Sequence, residues 1–124
     1  MPQDPISEPR GTLTRGATAM VTVYGLLALA GLVGTWYFNL QFLGEGGQSY
    51  LSAWFANPAS SSAAVDVIVT AVAACVFYVW EGRRLGWRWA AALVPLTFLV
   101  ALAFTFPLFL AAREVALARA ARAT

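Results

Sequence analysis

Asp66 is the residue whose type and position most demand an explanation, because it stands inside the otherwise charge-free stretch Ser60 to Trp80. A carboxylate at the centre of a membrane-spanning helix costs about 2.5–3.5 kcal/mol on insertion scales, so such acids mark proton relays, ion sites or substrate contacts. A plainer role is equally physical. One to two turns from a helix start, Asp66 reaches interfacial water and gains from the positive end of the helix dipole. Thr70 lies one turn further along the same helical face. Asn39, near the end of an earlier apolar run, and Thr105, about 24 Å along a later one at 1.5 Å per residue, fall at similar depth. Asp66, Asn39, Thr70 and Thr105 therefore form a candidate polar site within a membrane.

The second concentration of chemistry is the segment Glu81 to Arg88, EGRRLGWR. Glu81 and Arg84 stand at i and i+3 and read as an ion pair at a helix end. Arg83, Arg84 and Arg88 together offer planar forks for a phosphate and form a candidate lipid-headgroup site. Trp80, Trp87 and Trp89 around them read as interfacial anchors. Catalytic possibilities are few. The chain has no histidine and one cysteine, Cys75, so histidine-based triads and dyads, intramolecular disulfides and the usual zinc and haem ligand sets are excluded. Cys75 lies in an apolar run and reads as an inert buried thiol. No catalytic residue, metal site or cofactor is expected.

The elements that would position these groups follow from hydrophobicity. Of 124 residues, 60% are hydrophobic and 11% charged, against about 25% charged in ordinary soluble domains. That shortage of solvating groups predicts an all-α membrane protein. Three transmembrane helices are expected, over 17–43, 61–80 and 89–112, since about 20 apolar residues cross the hydrocarbon core. Residues 1–16, with three prolines and mixed charge, read as a disordered tail. The first apolar run is too long for a cleaved leader and reads as a retained span. Between the first two spans, Tyr50 to Ala56 is too short to cross and reads as an interfacial segment, ended by Asn57-Pro58. Ser60, Ser61 or Ser62 is the expected cap of the second span. Pro95 and Pro107 are expected to bend the third. Residues 113–124 are expected to be a helical extension or a disordered tail. Small residues recur at spacing four in all three spans, as Ala30 and Gly34, Ala71 and Cys75, and Ala101 and Thr105. Such pairs let helix backbones approach closely.

All eight basic residues are arginines, for a net charge of +2, and they gather at the ends of the apolar runs. That distribution points to membrane orientation, not to nucleic acid. Three crossings put the termini on opposite sides. With the N-terminus inside, Arg10, Arg15, Arg83, Arg84 and Arg88 are cytoplasmic and Arg113, Arg119 and Arg122 are outside. Five against three favours N-inside and C-outside, although the tail argues the other way and leaves an antiparallel dual-topology dimer open.

One pattern extends from the first loop to the tail. Aromatic residues precede Asn57-Pro58, and small residues lead to Asp66. Then come Glu81, Arg83, Arg84, Leu85 and Gly86, and finally Phe106-Pro107-Leu108-Phe109-Leu110 before Arg113-Glu114. Over roughly Met20 to Glu114 this resembles a family of small bacterial integral membrane proteins known as domain of unknown function 2834. The resemblance implies three membrane helices and a bacterial inner membrane, and brings no established activity.

Three functions follow as expectations. The first is a non-enzymatic accessory or structural subunit, packing with itself or a larger membrane complex within the lipid bilayer. The second is an oligomeric binder or transporter of a lipid, a small apolar molecule or a proton, using Asp66. The third is a lipid-modifying enzyme with Asp66 and Glu81 as acids. It ranks last, because the two lie about 22 Å apart along one helix.

Overall fold

The computed structural model describes residues 13–124, so most of the expected N-terminal tail, with Arg10, lies outside the described residues. The first helix, α1, runs Arg15–Glu45. Thr14 caps it, its hydroxyl accepting the Ala17 N–H at 3.1 Å, and Gly46 ends it with φ of 56°, a conformation natural to glycine. A short helix α2, Tyr50–Trp54, follows in place of the expected interfacial segment, capped by Ser49. Then comes α3, Pro58–Arg84, which starts three residues earlier and ends four later than the expected 61–80.

The cap of α3 is Asn57, not Ser60, Ser61 or Ser62, although Ser60 completes its capping box. Asn57 accepts the Ser60 N–H at 2.9 Å and Ser60 returns a hydroxyl acceptor to the Asn57 N–H at 3.3 Å. Pro58 then sits in the first turn, where its missing N–H removes nothing. At the other end, Trp87 N–H bonds to the Gly82 carbonyl at 2.7 Å and Gly86 N–H to Arg83 at 3.2 Å. Gly86 takes φ of 71° between them, which makes a Schellman stop. Both α1 and α3 are long and apolar enough to cross a membrane.

The expected third span, 89–112, is not one rod. A 3-10 segment Arg88–Ala92 leads into α4, Leu93–Leu99, and the helix stops there. After Val100 and an extended Ala101 the chain resumes as α5, Leu102–Ala123. It also reverses. Thr97 and Thr105 touch through their hydroxyl oxygens at 2.9 Å, where eight residues of continuous helix would separate them by about 12 Å. Trp87 and Trp89 both lie against the Phe109 ring, at 5.9 and 6.4 Å between centroids. The segment 88–99 and α5 are thus the two arms of a hairpin with its tip at Val100–Ala101.

The tip carries neither proline nor glycine, and its stability comes from other segments. Trp36 on α1 donates its indole N–H to the Val100 carbonyl at 2.9 Å. Pro95 falls in the first turn of α4 and breaks nothing. Pro107 lies inside α5, where it has no N–H to offer the Ala103 carbonyl four residues back. That carbonyl faces Gly31 of α1, so closely that a Cβ at Gly31 would overlap it.

The contacts fix the directions of the helices. Trp36 meets Val100 and Gly31 meets Ala103, so α1 and α5 run antiparallel. Tyr78 meets Thr105 and Glu81 meets Arg113, so α3 and α5 run parallel. The start of α1 and the end of α5 consequently share one end of the molecule. Among the described residues the start of α1 and the end of α5 are therefore not at opposite ends, because the hairpin turns the last helix back. The core of buried Ala74, Tyr78, Ala90, Leu93 and Phe109 lies at that same end, with Phe77, Trp87, Leu102 and Phe106 packed round it.

Candidate functional site: a cleft above the hairpin tip

Because α4 stops at Leu99 and the chain turns back, nothing from the hairpin fills the space between the far halves of α1 and α3. A cavity of about 490 Å³ opens there. Thr35 and Asn39 of α1, Val67 and Thr70 of α3, and the tip residues Val100 to Ala103 line it, and Trp54 of α2 closes one side. A second recess of about 460 Å³ adjoins it and shares Asn39, Trp54 and Val67. Aromatic side chains dominate its α1–α2 wall. Tyr50 packs edge-on against Phe42 at 5.2 Å and, tilted by 48°, against Trp54 at 5.3 Å. Its hydroxyl donates to Asn39 Oδ1 at 2.8 Å. The cleft is therefore apolar with few polar groups, the usual make-up of a small-molecule site.

Beneath the tip lies a chain of buried hydroxyls. Tyr78 donates to Thr105 at 3.2 Å, Thr105 and Thr97 are 2.9 Å apart, and Thr97 donates to the Leu93 carbonyl at 2.8 Å. Thr105 also lies 3.1 Å from the Ala101 carbonyl. Each of the three hydroxyl hydrogens has an acceptor, so the chain locks α3, α4 and α5 together and leaves no unpaired group.

Of the sequence-derived polar residues, Asn39 and Thr70 come together on the cleft wall. Thr105 is fully buried below it, in the hydroxyl chain. Asp66 does not join them. It is exposed, about 200° round α3 from the buried Ala64 at 100° per residue. Among the arginines, Arg84 pairs with Glu81 Oε2 at 3.2 Å. Arg113 pairs with Glu81 Oε1 at 2.7 Å, a contact across 32 residues that no local spacing announces. Arg83 and Arg88 are exposed beside them. Sequence reasoning also missed Trp36, Trp54 and Tyr78, whose roles depend on segments far away in the chain.

A family model described as protein of unknown function DUF2834 matches residues 23–115, three quarters of the chain. The chain belongs to the DUF2834 family. The match covers most of α1, all of α3 and the hairpin as far as the Glu81–Arg113 pair, so the cleft of this DUF2834 protein lies within the family's domain. No curated protein and no solved structure matches the chain.

Proposed function

We propose that this DUF2834 protein is embedded in a bacterial cytoplasmic membrane and binds a lipid or other small apolar molecule in the cleft above its hairpin tip. The observation that carries the reading is the cleft itself: about 490 Å³ of apolar space with Asn39, Thr35 and Thr70 as the polar groups available for orientation. Membrane embedding is supported by the apolar side chains left uncovered along both long helices, such as Leu26 at 63%, Val33 at 61% and Val76 at 64% exposure. In water such surfaces would drive aggregation.

The chain's path supports a topology other than three crossings. Two helices cross, and the hairpin enters from one side, reaches about half the roughly 30 Å hydrocarbon depth, and leaves by the same side. Non-helical backbone at that depth is tolerated where protein buries it, and Ala101 is buried with Val100 bonded to Trp36. In this arrangement all seven described arginines, Arg15, Arg83, Arg84, Arg88, Arg113, Arg119 and Arg122, lie at one end, and the other end carries Glu45. Among these seven, the four-to-three split of three crossings becomes seven to none, which favours placing the start of α1 and the end of α5 in the cytoplasm. With Cys75 replaced by serine, Ser52→Cys should react with an impermeant maleimide in intact spheroplasts, and Thr124→Cys should react only after the membrane is opened. Equal labelling of the two would refute this topology.

Ligand binding is tested with a phospholipid carrying a photoactivatable diazirine on its acyl chain, in membranes containing the full chain. Crosslinks should concentrate on peptides holding Asn39, Val67–Thr70 and Val100–Ala103, and Val67→Trp should reduce them severalfold by filling the cleft. Labelling spread evenly over the exposed faces, Leu26 and Val33 included, would sink the reading. A second reading, an accessory subunit packing with itself or a larger complex, is favoured by Asp66. Its carboxylate is exposed and outside the lining of both cavities, and within a membrane it would need a partner to satisfy it.

A further inference from the structure

A separate apolar groove of about 380 Å³ runs along the outside of α3 at the arginine-bearing end. Cys75, Val76, Val79, Trp80 and Arg83 line it from α3, and Val94 of α4 forms its opposite wall. On α3 these positions follow the spacing i, i+1, i+4, i+5, i+8, which makes one stripe about 12 Å long with Arg83 at its head. The neighbouring acid is already committed, since Glu81 gives one carboxylate oxygen to Arg84 and the other to Arg113. Arg83 makes no ion pair with the described residues, and Arg88, also exposed, opens the 3-10 segment nearby. The groove is thus apolar along its length and positively charged at its mouth. That polarity is complementary to one class of molecule, an acyl chain ending in an anionic headgroup, and arginine's planar fork suits a phosphate.

We propose that the groove seats one acyl chain of an anionic phospholipid from the cytoplasmic leaflet, with the lipid phosphate on Arg83. The site lies on the opposite half of the membrane from the cleft and rests on the proposed membrane placement, not on the cleft's ligand. It narrows the sequence-derived headgroup site, because Arg84 is held by Glu81 and Arg83 heads the groove.

The test uses the full chain released from mild detergent into a mass spectrometer under native conditions, after incubation with phosphatidylglycerol or with phosphatidylcholine. The wild-type chain should retain one phosphatidylglycerol in preference to phosphatidylcholine. Arg83→Gln, an exposed change whose melting temperature should match the wild type, should lower that retention about fivefold, the weight of one basic residue at a membrane surface. Val79→Trp, which fills the groove without removing charge, should lower retention of both lipids at this site. Arg122→Gln, on the far tail, should change nothing. Equal retention of the two lipids by the wild type, or unaltered retention by Arg83→Gln, overturns the proposal. Competition by inorganic phosphate alone at equal concentration also overturns it, since the apolar groove would then contribute nothing. A chain that stays folded and dispersed without detergent overturns the membrane placement and this site together.

Discussion

Gly31→Leu is expected to destabilise the protein more than any other single substitution along α1. At Gly31 the neighbour is not a flexible side chain but the Ala103 backbone carbonyl, and even a methyl group there would overlap it. Neither helix can yield locally. α1 is continuous through this point, and the chain at Ala103 is anchored three residues before it by the Trp36–Val100 hydrogen bond and two after it by Tyr78–Thr105. Overpacking usually costs about 1–3 kcal/mol, and a clash with backbone falls at the upper end or beyond. The same substitution at Gly25 or Gly34 meets open space and should be nearly silent. Thermal melting in detergent distinguishes the three variants. If Gly25→Leu proved as harmful as Gly31→Leu, the antiparallel contact between α1 and α5 would be wrong.

Glu81→Gln should produce the second large loss. The Glu81 side chain is 5% exposed and receives two guanidinium groups, one from the next turn of its own helix and one from α5. An amide keeps the shape but not the charge, so Arg113 and Arg84 lose their common counter-ion. Arg84, two-thirds exposed, returns to water, whereas Arg113, a third exposed, loses its acceptor in a partly desolvated place, so removing Glu81 alone is more harmful than removing it together with Arg113. The melting temperature should fall by roughly a few degrees. The double variant Glu81→Gln, Arg113→Gln should recover a large part of that loss. An unchanged melting temperature in the single variant would mean that the hairpin is not held to α3 through this pair.

How far the fold was legible depended on where each determinant lay in the chain. α1 and α3 could be read because each is defined by its own apolar run, although α3 runs on through Arg84, four residues past the expected end at Trp80. The hairpin could not. The run Trp89 to Ala112 is unbroken in hydrophobicity, and the residues at the reversal, Val100 and Ala101, are ordinary helix and strand formers. What ends the helix there is a tryptophan 64 residues away and hydroxyls on two other segments. Depth arithmetic put Asn39 and Thr105 level with Asp66 and Thr70 one turn away; Asn39 and Thr70 line one cleft, while Thr105 is buried below it. It also led to Asp66, conspicuous as a charge in an apolar stretch. Depth says nothing of the angle round the helix axis, and a further 40° from Thr70 leaves Asp66 exposed and off the cleft wall. Of the small-residue pairs, Ala71 and the pair Ala101–Thr105 are buried as packing residues. In α1, Gly31, beside the expected Ala30–Gly34 pair, meets the neighbouring backbone, while Gly34 meets open space. One position along a helix is a turn of 100°, which a spacing rule does not resolve.

The reversal at Val100–Ala101 also bears on how such a chain is made. On the proposed placement, the only polar stretch that has to be moved through the bilayer during synthesis is the short link between α1 and α3. It carries one charge, Glu45. The arginine-rich C-terminal end stays on the side where it leaves the ribosome. The hairpin arms need no translocation and can enter only after α1 and α3 stand side by side, because Trp36 and Tyr78 supply the partners its tip requires. Assembly would then be ordered by chemistry, with two helices inserting first and the third element folding into the slot they leave.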